Sequence, residues 1–294
     1  MDSCLIVNPV SGSDRAPEFL PAIEERLRST FGGLDVKVTS HEGDAEDTAR
    51  QAAETGCRRV VVAGGDGTLN EALNGIASAG ALDRVAIGLL PLGTGNDFAG
   101  TLGLPDDPLA AAEVVASGRE RRVDVGVVNG RVFVNASAGG FLAEVSDALT
   151  PGMKTIAGRL AYLLAGAGVI ASFDPPSVAV TIGGESLGAR QYQLFVVCNG
   201  PTIGGGHRAA PRARPDDGLL DACLVEASGT LDLVALLRRL SKGEHLDAEG
   251  VTYRQLQSAE LAFDRVLKVN TDGEVIETRI CRYRVLPGAA RFIA

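Results

Sequence analysis

Apolar positions along the chain keep two different rhythms. In the first half, short unbroken aliphatic runs alternate with segments of helical spacing. The runs Leu5-Ile6-Val7, 34–39, Val60-Val61-Val62-Ala63 and 85–90 read as strands. Between them, 18–31 carries Phe19, Leu20, Ile23 and Leu27 on one face, and Gly43-Asp44 opens a helix reaching Glu54. A further helix begins near Thr68 with Leu69-Asn70-Glu71-Ala72-Leu73. Strands alternating with helices predict a mostly parallel sheet covered on both faces, an α/β unit over 1–124. In the second half a period of two takes over. Residues 123–134 read as a hairpin around Asn129-Gly130, followed by strands at 177–182, 191–198, 220–226, 258–263 and 266–270. This predicts an antiparallel, sandwich-like domain over 125–285. The last stretch, 283–293, also has strand character, and its end (286–294) is expected to return to the first domain. Two helices interrupt the second half, at 155–171 and 231–240. The first is apolar nearly all round, which suits either a core helix or the lining for an acyl chain.

Composition narrows the function classes. A chain of 294 residues is long for one core and suits two domains. Hydrophobic residues make up 45% and charged residues 22%, as expected of a soluble globular protein. With 28 Lys and Arg against 37 Asp and Glu, the net charge is −9, which argues against a nucleic-acid partner. Cys4, Cys57, Cys198, Cys223 and Cys281 are scattered without CxxC spacing, so reduced thiols in a cytoplasmic protein are expected. No basic segment precedes the first apolar run. The longest uncharged apolar stretch, 160–173, is too short and too rich in Gly and Ala to span a bilayer, so any membrane contact is expected to be peripheral.

The candidate chemistry gathers where strands end. Val60 to Ala63 empty into Gly64-Gly65-Asp66-Gly67-Thr68, three glycines around one carboxylate, and then into a helix. Glycines let the backbone approach a ligand without Cβ atoms in the way. The helix start supplies unpaired N–H groups and the positive end of its dipole, a combination suited to phosphate. Four loops, 8–13, 39–44, 64–68 and 93–97, leave the carboxyl ends of strands, the edge where such sheets bind ligands. Several nucleotide fingerprints are absent. There is no GxxxxGK[ST], Phe98 stands where GxGxxG needs its third glycine, and no protein-kinase motif set is present. Lys154, Lys242 and Lys268 lie outside the four loops. Phosphate binding would therefore rest on amides, Thr and Asn side chains and a metal. Two acidic turns complete the inventory: Arg214-Pro215-Asp216-Asp217-Gly218-Leu219 and Asn270-Thr271-Asp272-Gly273-Glu274. Asp-Gly is also an ordinary turn pair.

Asn8-Pro9-x-Ser11-Gly12, Gly64-Gly65-Asp66-Gly67-Thr68 and Pro91-Leu92-Gly93-Thr94-x-Asn96-Asp97-Phe98 together resemble the diacylglycerol kinase catalytic-domain family. The likeness runs in order through nearly the whole chain. That family includes soluble bacterial lipid kinases and sphingosine and ceramide kinases, with NAD kinases and 6-phosphofructokinases as remote relatives. The GGDGT segment is shared with the remote relatives, whereas GTGND and DDGLL favour the lipid side. The resemblance implies an NAD kinase/diacylglycerol kinase-like fold for the first domain. It implies that Gly64, Gly65, Asp66, Gly67, Thr68, Leu69, Asn70 and Thr94 bind ATP, joined by Thr39. Asn8, Gly93, Asn96 and Asp97 stand in the same motifs and are counted with them. Arg15 stands near the place of a family lysine. A structural Mg²⁺ maps onto Asp217 and the carbonyls of Arg214 and Leu219, oxygen donors that suit a hard cation. Glu274 takes the general-base position, and Asp66 is assigned to a catalytic Mg²⁺.

The expected activity is thus ATP- and Mg²⁺-dependent transfer of a γ-phosphoryl group to a lipid hydroxyl, diacylglycerol-like or related, in an interdomain cleft. The lipid would be met by peripheral contact at a membrane surface. Rival readings are a kinase of a soluble acceptor such as NAD, and a nucleotide-binding regulatory module without catalysis. Gly139-Gly140-Phe141 resembles another family segment at the cleft, although a strand bulge and helix start account for it equally well. His207 beside Gly204-Gly205-Gly206 reads as a solvated loop residue or a headgroup contact. Exposed sheet edges leave a homodimer open.

Overall fold

The protein is described here by a computed structural model covering residues 2–12, 16–141, 143 and 173–294. Arg15, Lys154 and the helix expected over 155–171 lie outside these residues. The first domain holds β1 (Ser3–Val7), β2 (Asp35–Val38), β3 (Arg59–Gly64) and β4 (Ala86–Pro91), all parallel in the order β4-β3-β1-β2. Around them lie α1 (Ala16–Phe31), α2 (Asp44–Glu54), α3 (Asp66–Ser78), α4 (Asp97–Leu102) and α5 (Pro108–Ser117). Successive strand residues point to opposite faces. Leu5, Val61 and Ala63 pack with Ile23 and Leu27 of α1 and Val115 of α5. Ile6, Val60 and Val62 pack with Ala49 of α2 and Leu69, Leu73 and Ile76 of α3. Burial on both faces is why these strands read as unbroken aliphatic runs. Helix α5 lacks that kind of signal, because apolar residues fill its sequence on every side, with Leu109 exposed opposite buried Ala111, Ala112 and Val115. Its start is set instead by Asp107, whose carboxylate accepts the Ala110 N–H (2.8 Å), and by Pro108 in the first turn.

The second domain is antiparallel and sandwich-like. Its elements are β5 (Glu120–Val128), β6 (Arg131–Phe133), β7 (Ala136–Gly140), β8 (Ser177–Ile182), β9 (Glu185–Cys198), β10 (Leu220–Glu226), α6 (Thr230–Lys242), β11 (Val251–Leu256), β12 (Ser258–Thr271) and β13 (Glu274–Ile293). Asn129 and Gly130 both have positive φ (49° and 92°), the geometry a two-residue hairpin needs between β5 and β6. The core between the layers includes Phe133, Val178, Phe195, Leu224, Leu261, Val269 and Tyr283. Gly139 lies beneath the Phe195 ring, where a Cβ would collide with it. The two strands expected at 258–263 and 266–270 form one strand, β12, with a register shift between Ala262 and Leu267.

The domains share one continuous sheet, because β13 belongs to both. It pairs antiparallel with β12 and β5, shifts register between Leu286 and Ala290, and then runs parallel to β4 through Arg291, Phe292 and Ile293. Phe292 meets Phe98 edge-on, with ring centroids 5.1 Å apart. Among the described residues, no helix is long and apolar enough to cross a membrane.

Candidate functional site

The carboxyl ends of β1, β3 and β4 converge on one cradle. The Asn8 N–H donates to the Ala63 carbonyl (2.9 Å), and the Leu92 N–H to that of Gly64 (3.0 Å). The Asn8 side chain donates to Thr68 Oγ1 (2.9 Å), tying the first loop to the opening turn of α3. Backbones then approach more closely than side chains allow. A Cβ on Gly93 would stand 2.5 Å from Gly65 Cα, and one on Gly12 would strike the Leu92 carbonyl. Asn96 holds a left-handed conformation (φ 51°, ψ 36°) and donates from Nδ2 to the Gly93 carbonyl (2.8 Å). Its Oδ1 is buried and has no hydrogen-bond partner among the described residues. A cavity of about 360 Å³ opens here, lined by Gly12, Gly93, Thr94, Asn96, Asp106 and, from the second domain, Gly205. Thr39 lies at the neighbouring strand end, its N–H donating to the Val7 carbonyl (2.8 Å).

Asp66 opens α3, directly after the two glycines. Its carboxylate accepts the N–H groups of Asp97 and Phe98 (3.1 Å each), which are orphan donors at the start of α4. Burial raises its pKa, and the nearby Asp97 charge adds to the rise against the pull of those N–H bonds. Asp97 in turn accepts from Gly205 and Gly206 (2.8 Å each), so it fastens a second-domain loop onto the first domain. Backbone bonds between Ile203 and His207 close that loop. A Cβ on Gly95 would lie 3.2 Å from Asp66 Oδ2 and 3.5 Å from Asp97 Oδ2, so the two carboxylates face one point. Two motif residues turn elsewhere. Leu69 is buried in the core and gives its N–H to the Gly65 carbonyl (3.0 Å). Asn70 is buried and donates to the Thr271 carbonyl (3.3 Å). Both follow from helical period: a motif that enters a packed helix must put some of its residues inside.

The acidic turn between β12 and β13 lies against the start of α3. A Cβ on Gly273 would stand 3.4 Å from Gly67 Cα, one residue from Asp66. Asp272, buried with φ 47°, accepts the N–H groups of Val134 (2.8 Å), Asn135 (3.0 Å) and Ala136 (2.7 Å). Glu274 Oε2 accepts from Arg131 Nε (3.1 Å) and Nη2 (2.6 Å). The same guanidinium holds both oxygens of Glu46 on α2 (2.8 and 2.7 Å).

Arg214, Asp217 and Leu219 occupy a separate turn. There the Leu219 N–H donates to Asp217 Oδ1 (3.1 Å), and Asp216 accepts from Arg121 (2.8 Å). The turn is pinned by Asp124, a buried acid that accepts from Gly218 and Gly288 (2.6 Å each) and gives its N–H to the Pro215 carbonyl (2.7 Å). Among the described residues, no three His, Cys, Asp or Glu side chains gather as a metal cage. The five cysteines are free and buried.

Sequence reasoning passes over Glu46, Asp124 and Arg131, and it names Asp272 only as part of an acidic turn. A lone acid between Val123 and Val125 in an apolar strand was a legible signal for Asp124, because such charges are rarely buried without partners. The Arg131 pairings had none, since they join residues 85 and 143 positions apart.

The Diacylglycerol kinase catalytic domain family model matches residues 2–128, and the YegS C-terminal NAD kinase beta sandwich-like domain matches residues 136–294. The chain is 31% identical over 271 residues to a diacylglycerol kinase of Bacillus subtilis, covering 92% of this chain and 88% of that one. It is 36% identical over 293 residues to a "probable lipid kinase YegS-like" protein of Chromohalobacter salexigens, covering 98% and 91%. The crystal structure of a diacylglycerol kinase from Bacillus anthracis superposes with a TM-score of 0.79 at 26% identity, over 99% of this chain and 96% of that one.

Proposed function

The chain belongs to the diacylglycerol kinase catalytic-domain family, a family of lipid kinases, and we propose that it transfers the γ-phosphoryl group of ATP, with Mg²⁺, to the hydroxyl of a diacylglycerol-like lipid in the cleft between its domains. The observation that carries this reading is the contact of Gly273 with Gly67, which sets the Glu274 turn beside Asp66 and the glycine cradle.

The cradle fits a polyphosphate because Gly12 and Gly93 leave no room for a Cβ and Gly65 leaves little, so backbone lines that wall. Thr68 and Thr94 add hydroxyls, and the start of α3 adds its dipole. The donor set also fits a hard cation. Asp66 and Asp97 converge near Gly95, and two neighbouring carboxylates call for a positive charge. With too few protein ligands for a cage, such an ion would complete its shell on phosphate oxygens and water. When bound, Mg²⁺ supplies neutralisation of the charge that develops on the transferring phosphoryl group. Asp217 and the carbonyls of Arg214 and Leu219 would hold a second ion, structural in role, in the turn that Asp124 pins. Glu274 accepts the proton of the attacking hydroxyl. Asp272 anchors the turn to three backbone N–H groups, so the base stays aligned with the cradle. Arg208, Arg212 and Arg214 are exposed beyond the glycine loop, a cationic face for peripheral contact with anionic lipid.

The test is radiolabelled ATP and Mg²⁺ offered with vesicles containing diacylglycerol or, separately, with NAD, followed by chromatography. Label is expected in a phosphorylated lipid and absent with Asp66→Ala. Label in NAD, or in no acceptor, overturns the reading.

A further inference from the structure

We infer that Arg131 is the positioning residue that presents Glu274 to the acceptor hydroxyl, with Glu46 on the first domain as its anchor. The inference rests on the reading of Glu274 as the base.

One guanidinium serves two carboxylates in two different ways. Toward Glu46 it is end-on, Nη1 and Nη2 each meeting one oxygen (2.8 and 2.7 Å). Toward Glu274, Nε and Nη2 both meet the same oxygen, Oε2 (3.1 and 2.6 Å). The other oxygen, Oε1, accepts no hydrogen bond among the described residues. A carboxylate pinned through one oxygen has its rotamer fixed and keeps the lone pairs of the other for a hydroxyl proton. The fork of Arg131 is itself held. The neighbouring residue Val132 donates its N–H to Asn74 Oδ1 and accepts from Asn74 Nδ2 (3.0 Å each). Asn74 lies two turns along α3 from Asp66, so β6 is clipped to the helix that begins with that carboxylate. The order Asp66, α3, Asn74, β6, Arg131, Glu274 therefore ties the spacing of the two reactive acids to one rigid helix. Glu46 adds the second point of support, from α2, without which the guanidinium could swing about its own side chain.

A plain interdomain salt bridge is the competing account. The three side chains are 32%, 28% and 36% exposed, and partly exposed pairs add little to stability. A structural role would thus leave turnover almost unchanged, whereas misplacing a base by about 1 Å costs up to roughly 100-fold. Lysine keeps the charge but cannot hold two carboxylates with a planar fork.

The experiment compares Arg131→Ala, Arg131→Lys, Glu46→Gln and Glu274→Gln with the wild type in steady-state phosphorylation of the diacylglycerol vesicles. Arg131→Ala is expected to lose about 10- to 100-fold in kcat, with the KM for ATP changed less than about twofold. Ethylguanidinium should restore part of that loss, and ethylammonium at equal ionic strength should not. Arg131→Lys should stay impaired, and Glu46→Gln should show a smaller loss confined to kcat. Should Arg131→Ala not fold, the Lys and Gln variants decide. Unchanged kcat in the Arg131 variants beside a Glu274→Gln protein that has lost turnover overturns this inference alone. Full activity in Arg131→Lys overturns it as well, because charge would then suffice. Full kcat in Glu274→Gln, or no lipid turnover in the wild type, overturns the base reading and the inference with it.

Discussion

Asp272 makes folding of this protein sensitive to pH in a direction that can be worked out. Its carboxylate sits in the interior, where loss of water disfavours the charged form. Three backbone N–H groups at 2.7, 2.8 and 3.0 Å oppose that loss. Burial is the larger effect, the Asp66 charge adds to it, and together they push the pKa up from 3.8 to about 7. A folded pKa above the unfolded one means that the native state binds more protons between those values. Stability is then fully present below pH 3.8 and is lost as pH rises through 7. The pKa values differ by about 3 units, and each is worth 1.36 kcal/mol, so the ceiling is about 4 kcal/mol. Asp272→Asn removes the titration while keeping the shape, at a cost of roughly 1–3 kcal/mol for the N–H that its amide nitrogen cannot accept. Urea unfolding of both proteins from pH 4 to pH 8 isolates the residue together with its coupling to Asp66, since groups remote from both titrate alike in each. The stability of wild type minus variant should fall by up to about 4 kcal/mol across that range. A difference that stays flat, or climbs with pH, would show that the N–H groups outweigh burial and that the carboxylate is ionised throughout.

Gly93→Ala drives a Cβ to 2.5 Å from Gly65 Cα, backbone against backbone. Overpacking of roughly 1–3 kcal/mol, taken out of ATP binding, lowers affinity about 5- to 150-fold by calorimetry. Gly100→Ala in α4 meets no atom within 4 Å and should leave that affinity intact while raising Tm slightly; equal losses in both variants refute the cradle argument. Asn74→Ala strips partners from both backbone groups of buried Val132, a cost of about 2–5 kcal/mol in urea unfolding, and a loss below about 1 kcal/mol would mean that β6 re-pairs elsewhere.

The strands of the first domain were legible because burial on both faces writes them as aliphatic runs. The glycine loops were legible because close backbone approach excludes every other residue. The two-residue hairpin at Asn129-Gly130 announced itself through its demand for positive φ. Three kinds of feature were not. Helix α5 has no polar stripe to give it a period. Strand β12 looks like two strands because its register shift falls in the polar stretch Asp264-Arg265. The division of labour within 64–70 was hidden too: Leu69 and Asn70 directly follow GGDGT but face inward, and only the helix geometry says so. The two acids and the arginine that meet come from α2, β6 and β13, and no spacing in the chain encodes a meeting between them.

Strand β13 has a consequence for how the molecule comes into being. The edge of β4 and the face of Phe98 are completed by Arg291–Ile293, which leave the ribosome only after the entire second domain. The first domain therefore cannot finish as soon as its own segment emerges. Its half-built sheet keeps an open rim until residues 291–293 dock beside β4. Folding here is a closing of the circuit rather than a succession of modules, because the strand that completes the first sheet lies beyond the whole second domain.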